Sequence, residues 1–212
     1  MRVLVMAKAP VPGRVKTRLG ARVGMEVAAD LAAAALLDTI AACRSAFTEC
    51  HLALDGSFED AVRSPELLAA LADWVVHPQR GDTFGERLAR AHADAAGDGP
   101  TVQIGMDTPQ VTPADLRVIA GAAYDGDAVL GPATDGGWWV LALSDPAAAR
   151  VLVDVAMSRP DTCRRTREAL TAVGQTVRLG HALTDVDTVA EAAQVAGILT
   201  QGHFLRAWQA VA

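Results

Sequence analysis

The stretch RVLVMAKAPVPGRVKTRL, residues 2–19, decides how the whole chain is read. Its first six residues form an apolar, partly β-branched run of strand length. Lys8, Pro10, Pro12 and Gly13 then break the pattern, which predicts a buried first strand running into an irregular loop. Lys16-Thr17-Arg18 opens a predicted helix, where free backbone amides and the helix dipole favour an anion. Strand, proline- and glycine-held loop and basic helix start read as a phosphate site, with a solvated basic turn as the structural alternative. No Walker loop is present.

Working outward, residues 24–46 are Ala/Leu-rich and helical in period, with Asp30 and Asp38 expected on the wet side. Strands are expected at 50–54, 74–77, 101–105, 128–130, 138–143 and 176–179. Helices are expected at 65–72, 84–96, from the Thr112-Pro113 cap, at 146–157 and 161–173, and from 188 onward. Strands alternating with helices and no internal linker predict one α/β domain over residues 1–212, a central mostly parallel sheet flanked by helices. Ligands in such sheets sit outside the carboxyl ends of the strands. Polar and glycine-rich segments collect just there, at 8–18, 106–109, 134–137 and 184–188.

Charge sharpens the first loop. Residues 1–25 hold Arg2, Lys8, Arg14, Lys16, Arg18 and Arg22 with no acid, and the other 13 of the 19 cations face all 25 acids. An acidic body with one basic segment argues for a local anion site and against a nucleic-acid footprint. At 212 residues and 51% hydrophobic content the chain can bury a core unaided. Cys43, Cys50 and Cys163 lack CxxC spacing and read as free thiols in a reducing compartment, and five scattered histidines argue against zinc. No apolar run is long enough for a membrane span or shaped like a signal peptide, so a cytoplasmic enzyme is expected.

Three acids stand where chemistry needs them. Asp107 follows the strand at 101–105, and a carboxylate there suits a divalent cation bridging phosphate oxygens; the alternative is a turn residue, although Thr112 already supplies the helix cap. Asp135-Gly136-Gly137-Trp138 can bring backbone close to a ligand and offer one acid, or be only a tight turn. Trp138 and Trp139 should point to opposite faces, one into the core and one free to stack on a base or sugar. Asp187 is either a second metal carboxylate or an acid at a helix start. Residues 82–87 either line the cleft near a nucleotide or form a solvated helix start.

Taken in order, AKAPVPGRVKTRL at 7–19, IGMDTP at 104–109, GPATDGGWWVLAL at 131–143 and DVDT at 185–188 carry a resemblance. The sequence resembles a bacterial glycosyltransferase-like family of GT-A fold, within the nucleotide-diphospho-sugar transferase superfamily, part of which is associated with arsenosugar biosynthesis. The resemblance implies a nucleotide cleft, a divalent metal (Mg2+ or Mn2+) and a sugar-nucleotide donor. The family usually has Ser-Asp-Cys-Pro where this chain has Met106-Asp107-Thr108-Pro109, and Gly-Gly-Tyr-Tyr where it has Gly136-Gly137-Trp138-Trp139. It also usually has a Pro-Trp motif in the region of Ser158–Thr162, a segment expected to meet the acceptor. The first loop is also similar to those of nucleotidylyltransferases that guanylylate small phosphorylated acids.

The expectation is a magnesium-dependent transferase moving a glycosyl group from a sugar nucleotide to a small acceptor. Lys8, Pro10, Gly13, Arg14, Lys16, Thr17 and Arg18, with Gly136, Gly137 and Trp138, are expected to bind the nucleotide or substrate. Asp107 and Asp187 would hold the metal, and Asp107 and Asp135 would serve catalysis, Asp135 by orienting or deprotonating the acceptor. Nucleotidyl transfer from a nucleoside triphosphate and a non-catalytic nucleotide-binding module are the alternatives. The acidic balance of the cleft turns favours the sugar nucleotide over a triphosphate with an incoming phosphate.

Overall fold

β1 (Arg2–Lys8) is buried along its length except at Lys8, as an interior strand covered on both faces must be. The computed structural model describes residues 1–211. From β1 the chain passes through α1 (Thr17–Val23) and α2 (Met25–Ala46) to β2 (Glu49–Asp55). It continues by α3 (Ser64–Ala70) to β3 (Val75–Pro78), then by α4 (Phe84–Asp94) back to β4 (Thr101–Gly105). α5 (Pro113–Tyr124), β5 (Ala128–Pro132), β6 (Trp138–Leu143), a 3-10 helix (Pro146–Asp154), α6 (Thr162–Ala172), β7 (Val177–Leu179), α7 (Val189–Ile198) and α8 (His203–Gln209) follow.

One seven-stranded sheet has the order β3-β2-β1-β4-β6-β5-β7, with β6 alone antiparallel to its neighbours. The chain moves outward from β1 to β3 and then returns to the other side of β1 with β4. That reversal opens a crevice outside the carboxyl ends of β1 and β4. Because β6 runs antiparallel, with Val140 opposite Ile104, its start lies at the end where β4 finishes. The turn at 133–137 therefore reaches the same rim as Asp107.

Helices cover both faces. Val3, Val5, Leu52 and Ile104 pack under α2 and α5, while Leu4, Met6, Leu130 and Leu141 pack under α4, the 3-10 helix and α6. A third cluster joins Leu19 of α1 and Leu31 of α2 to Phe204 of α8. Each fully buried aliphatic side chain contributes about 1.5–3 kcal/mol relative to exposure. Among the described residues no helix is long and apolar enough to cross a membrane.

Two expectations are corrected. Asp30 and Asp38 are not solvent acids of α2: Asp30 holds Arg63 through two bonds of 2.6 and 2.9 Å, and Asp38 accepts the amides of His203 and Phe204 at 2.8 Å. The segment expected as a helix over 146–157 is a 3-10 helix ending at Asp154. Its backbone meets α4 so closely that a Cβ at Gly85 would lie 2.2 Å from the Leu152 carbonyl oxygen.

His92 of α4 is fully buried, and neither ring nitrogen has a hydrogen-bond partner. Burial pushes its pKa down to about 4, against the opposing pull of the neighbouring Gln103 side chain. Between about pH 6.5 and that value the unfolded chain binds the proton and the folded chain does not. Stability should therefore fall as pH drops through this window. His92→Leu should gain on wild type by up to about 3 kcal/mol between pH 7 and pH 4, read by urea denaturation. Parallel pH profiles would contradict the buried neutral imidazole.

Candidate active site

The basic loop is built as the sequence implied, and at its centre Lys16 meets two carboxylates. Gly13 takes φ +75°, and Lys16 caps α1 in a left-handed conformation. Thr17, Arg14 and Arg18 are exposed at the rim, whereas the Lys16 side chain is only 8% exposed. Its Nζ lies 2.6 Å from Asp107 Oδ1 and 2.8 Å from Asp187 Oδ1. Arg18 pairs with the other Asp187 oxygen. Burial works against the Lys16 charge, but the Asp107 and Asp187 carboxylates outweigh it and hold the ammonium above its ordinary range. Burial likewise raises Asp187, and Lys16 and Arg18 bring it below the usual carboxylate range.

The turn that carries Asp187 is tied to the one that carries Asp107: the Val186 amide donates to the Asp107 carbonyl at 2.9 Å, and Gln110 donates to the Thr184 carbonyl at 2.7 Å. The helix start is capped by Thr188 and Glu191, which leaves the aspartates free for other work. Asp107, Asp135, Asp185 and Asp187 all line one cavity of about 250 Å³. Asp185, which the sequence reading counted among the acidic cleft turns without giving it a role, lines the cavity as well. Burial first, then the charges of Asp107, Asp135 and Asp187, push its pKa up to about 7 against the pull of Lys16. The Asp-Val-Asp spacing was the available signal, since alternate residues of an extended segment share a side.

The Asp135 turn is held from behind. Asp135 Oδ1 accepts the Gly137 amide at 2.8 Å, and the Gly136 carbonyl accepts the Cys163 amide at 2.9 Å. Gly136 is needed for packing: at φ +91° its Cβ would stand 2.0 Å from the Pro160 carbonyl oxygen. Gly136→Ala should cost about 2–3 kcal/mol. An unchanged urea midpoint would show that the turn can move away from Pro160.

Trp138 and Trp139 do face opposite ways. Trp139 is buried and donates to the His181 carbonyl at 3.0 Å, while half-buried Trp138 donates to Thr166 Oγ1 at 3.1 Å and borders the cavity. Ser158 and Thr162, from the segment expected to meet an acceptor, also line the cavity. Phe84, at the start of α4, also borders the cavity. Pro10 is buried, with its carbonyl taken by the Val62 amide at 3.0 Å, so it shapes the loop. Lys8 lies 3.9 Å from Asp55, beside Arg87 at 3.6 Å from the same carboxylate oxygen. A more open groove of about 760 Å³, between α4 and the 3-10 helix, contains none of these residues.

Among the described residues no group of three or more His, Cys, Asp or Glu side chains forms a ready-made metal cage. A magnesium-type ion needs less: one or two carboxylates suffice when substrate phosphates complete its shell. Asp107 and Asp187 converge on one cation already, the Lys16 ammonium, so the donor set fits a positive charge at that point.

Sheet order, switch point and carboxylate rim place the molecule in the nucleotide-diphospho-sugar transferase and nucleotidyltransferase fold. Residues 37–159 match the family described as "Uncharacterized protein conserved in bacteria" (DUF2064), and the chain belongs to that family. A Desulfovibrio desulfuricans protein provisionally assigned as a nucleotide-diphospho-sugar transferase superimposes with a TM-score of 0.87 at 24% identity, covering 99% of this chain and 94% of its own. A nucleotidyl transferase from Methanothermobacter thermautotrophicus gives 0.57 at 20% identity, over 97% and 98% of the two chains. Rv0371c of Mycobacterium tuberculosis, in complex with manganese, gives 0.51 at 22% identity, over 92% and 96%. Each likeness is one of fold. No curated protein matches the sequence.

Proposed function

We propose that this protein is a nucleotide-dependent transferase that uses a divalent metal, Mg2+ or Mn2+, to move a glycosyl group from a sugar nucleotide to a small acceptor. The observation that carries the reading is the meeting of Asp107 and Asp187 with Lys16 at the mouth of a cavity lined by two further aspartates and by no Lys, Arg or His. Cations stand on the loop side of that meeting point and acids on the cavity side. A donor diphosphate therefore belongs over Arg14, Lys16, Thr17 and Arg18, and the group it carries belongs over the cavity.

Asp107 and Asp187 would hold the metal, which supplies charge neutralisation for a departing diphosphate. Lys16 can swing from the carboxylates to the phosphates. Asp135, with one oxygen fixed by the Gly137 amide, has its second oxygen to orient an acceptor hydroxyl or take its proton. Manganese bound to a protein of this fold and the transferase assignments of other neighbours support the metal and the reaction class.

A thermal-shift screen of nucleotides and sugar nucleotides, with and without magnesium, tests the reading. A ligand at a hundred times its Kd stabilises the folded state by about 2.7 kcal/mol. Sugar nucleotides with magnesium should raise the Tm by several degrees, and a flat response to every nucleotide would contradict the proposal.

A further inference from the structure

A second concave surface lies in the helical layer, apart from the carboxylate rim. The groove between α4 and the 3-10 helix, of about 760 Å³, falls within the ~300–1,000 Å³ common for small-molecule sites. Its two walls run antiparallel. At the rim end their backbones meet where Gly85 abuts the Leu152 carbonyl. At the other end α4 leads towards Thr101 of β4, which stands opposite Leu143, the last residue of β6 before the 3-10 helix. Arg90 of α4 and Arg150 of the 3-10 helix therefore border the groove from facing walls near its middle.

Charge and lining narrow what fits there. Arg80 and Arg87 nearby are taken, by Asp94 at 2.6 Å and Asp55 at 3.6 Å, whereas among the described residues Arg90 and Arg150 are exposed and meet no carboxylate. The two acids at the groove are turned to helix starts: Glu86 accepts the Asp82 amide at 2.8 Å, and Asp145 accepts the Ala147 amide at 2.9 Å. Between these charges the walls are apolar, formed by Ala89, Ala93, Pro146, Ala147 and Val153. Two facing guanidinium forks suit one carboxylate or phosphate, and the walls suit a hydrocarbon chain. Glu86 and Asp145 oppose a ligand with further negative groups along its length. An anionic bilayer is held by clusters of about four to eight Lys or Arg, and two cations in a concavity suit a single molecule instead.

We propose that this groove binds one molecule of a single-chain amphiphile, its carboxylate or phosphate head between Arg90 and Arg150 and its apolar chain over Ala93, Pro146 and Ala147. The site shares no residue with the carboxylate-lined cavity. It goes beyond the transferase reading and stands independently of it.

Calorimetric titration of the full-length protein with decanoate, decyl phosphate and decanol, each below its micelle-forming concentration, tests the site. At least one of the two anions should bind saturably, one per chain, and decanol should bind about tenfold more weakly or less; the tighter anion names the head group. From octanoate through decanoate to dodecanoate, affinity should rise by about two- to fourfold per methylene. Replacing both arginines, Arg90→Gln with Arg150→Gln, should weaken anion binding by about tenfold or more. Ala93→Trp, at an exposed position of α4, should fill the groove and abolish binding. Both arginines are exposed, so that variant should keep the wild-type Tm within a few degrees and decide the matter even where the tryptophan disturbs folding. No saturable binding, or affinity unchanged in the arginine variant, would overturn the site. Capture on phosphatidylglycerol vesicles without binding of the monomeric amphiphiles would overturn it too and assign this face to a membrane.

Discussion

Asp107→Asn is expected to lower metal-dependent turnover by about 100-fold or more while moving the Tm by only a few degrees. The substitution keeps the side chain's size and removes the charge that lies 2.6 Å from Lys16. Folding loses little, because Lys16 keeps Asp187 at 2.8 Å and the Asp107 side chain is already 38% exposed. Loss of one ion pair with a remaining partner costs about 1 kcal/mol, or roughly 2–4 °C in a chain of this size. Catalysis loses much, because one of two carboxylates available to a metal at this point is gone. An unchanged metal titration in the variant would make Asp107 a structural residue.

Lys16→Met should act in two directions at once. Nucleotide affinity should fall by at least tenfold, since the loop loses its most central cation. Divalent-metal affinity of the nucleotide-free protein should rise by about tenfold or more, because the ammonium that competes for the Asp107 and Asp187 oxygens is gone. Wild type should accordingly bind manganese weakly until a nucleotide draws Lys16 away, and the variant should bind it without nucleotide. Electron-spin titration of free manganese reads both. Equal manganese affinity in the two proteins would show that Lys16 does not occupy the cation position.

The rim was legible in the sequence because its parts are local. A strand, a Pro/Gly-held loop and a basic helix start need no distant partner to be recognised, and the acids at 107, 135 and 187 follow predicted strands at one sheet end. Thr112 reads as a cap and acts as one, and Thr188, read only as a helix start, proves to be a cap too, each in a reciprocal box with the acid three residues on. What sequence spacing could not carry were contacts closed by tertiary packing. Lys16 reaches acids 91 and 171 residues away in the chain, so a rim lysine read as free for phosphate is also the counter-charge of the Asp107 and Asp187 carboxylates. Asp38 looked like a solvent acid on a helix and caps α8 instead. Gln103 sits inside an apolar strand whose pattern marks it only as interior. Its place beside buried His92 and at the cavity becomes visible only in the folded chain.

The two chemistries differ in which bond is broken. In glycosyl transfer the nucleoside diphosphate leaves the sugar carbon, and in nucleotidyl transfer pyrophosphate leaves the α-phosphorus. The proposed reading takes the first, with the group carried by the donor lying over the cavity bordered by Asp107, Asp135, Asp185 and Asp187. The protein should be incubated with magnesium and either sugar nucleotides plus small polyols or nucleoside triphosphates plus phosphorylated acids, with nucleoside diphosphate and pyrophosphate quantified. Enzyme-dependent nucleoside diphosphate from a sugar nucleotide, abolished in Asp107→Asn, with no pyrophosphate in the other mixture, is the predicted result. Pyrophosphate released from a triphosphate and lost in Lys16→Ala would contradict it and establish nucleotidyl transfer.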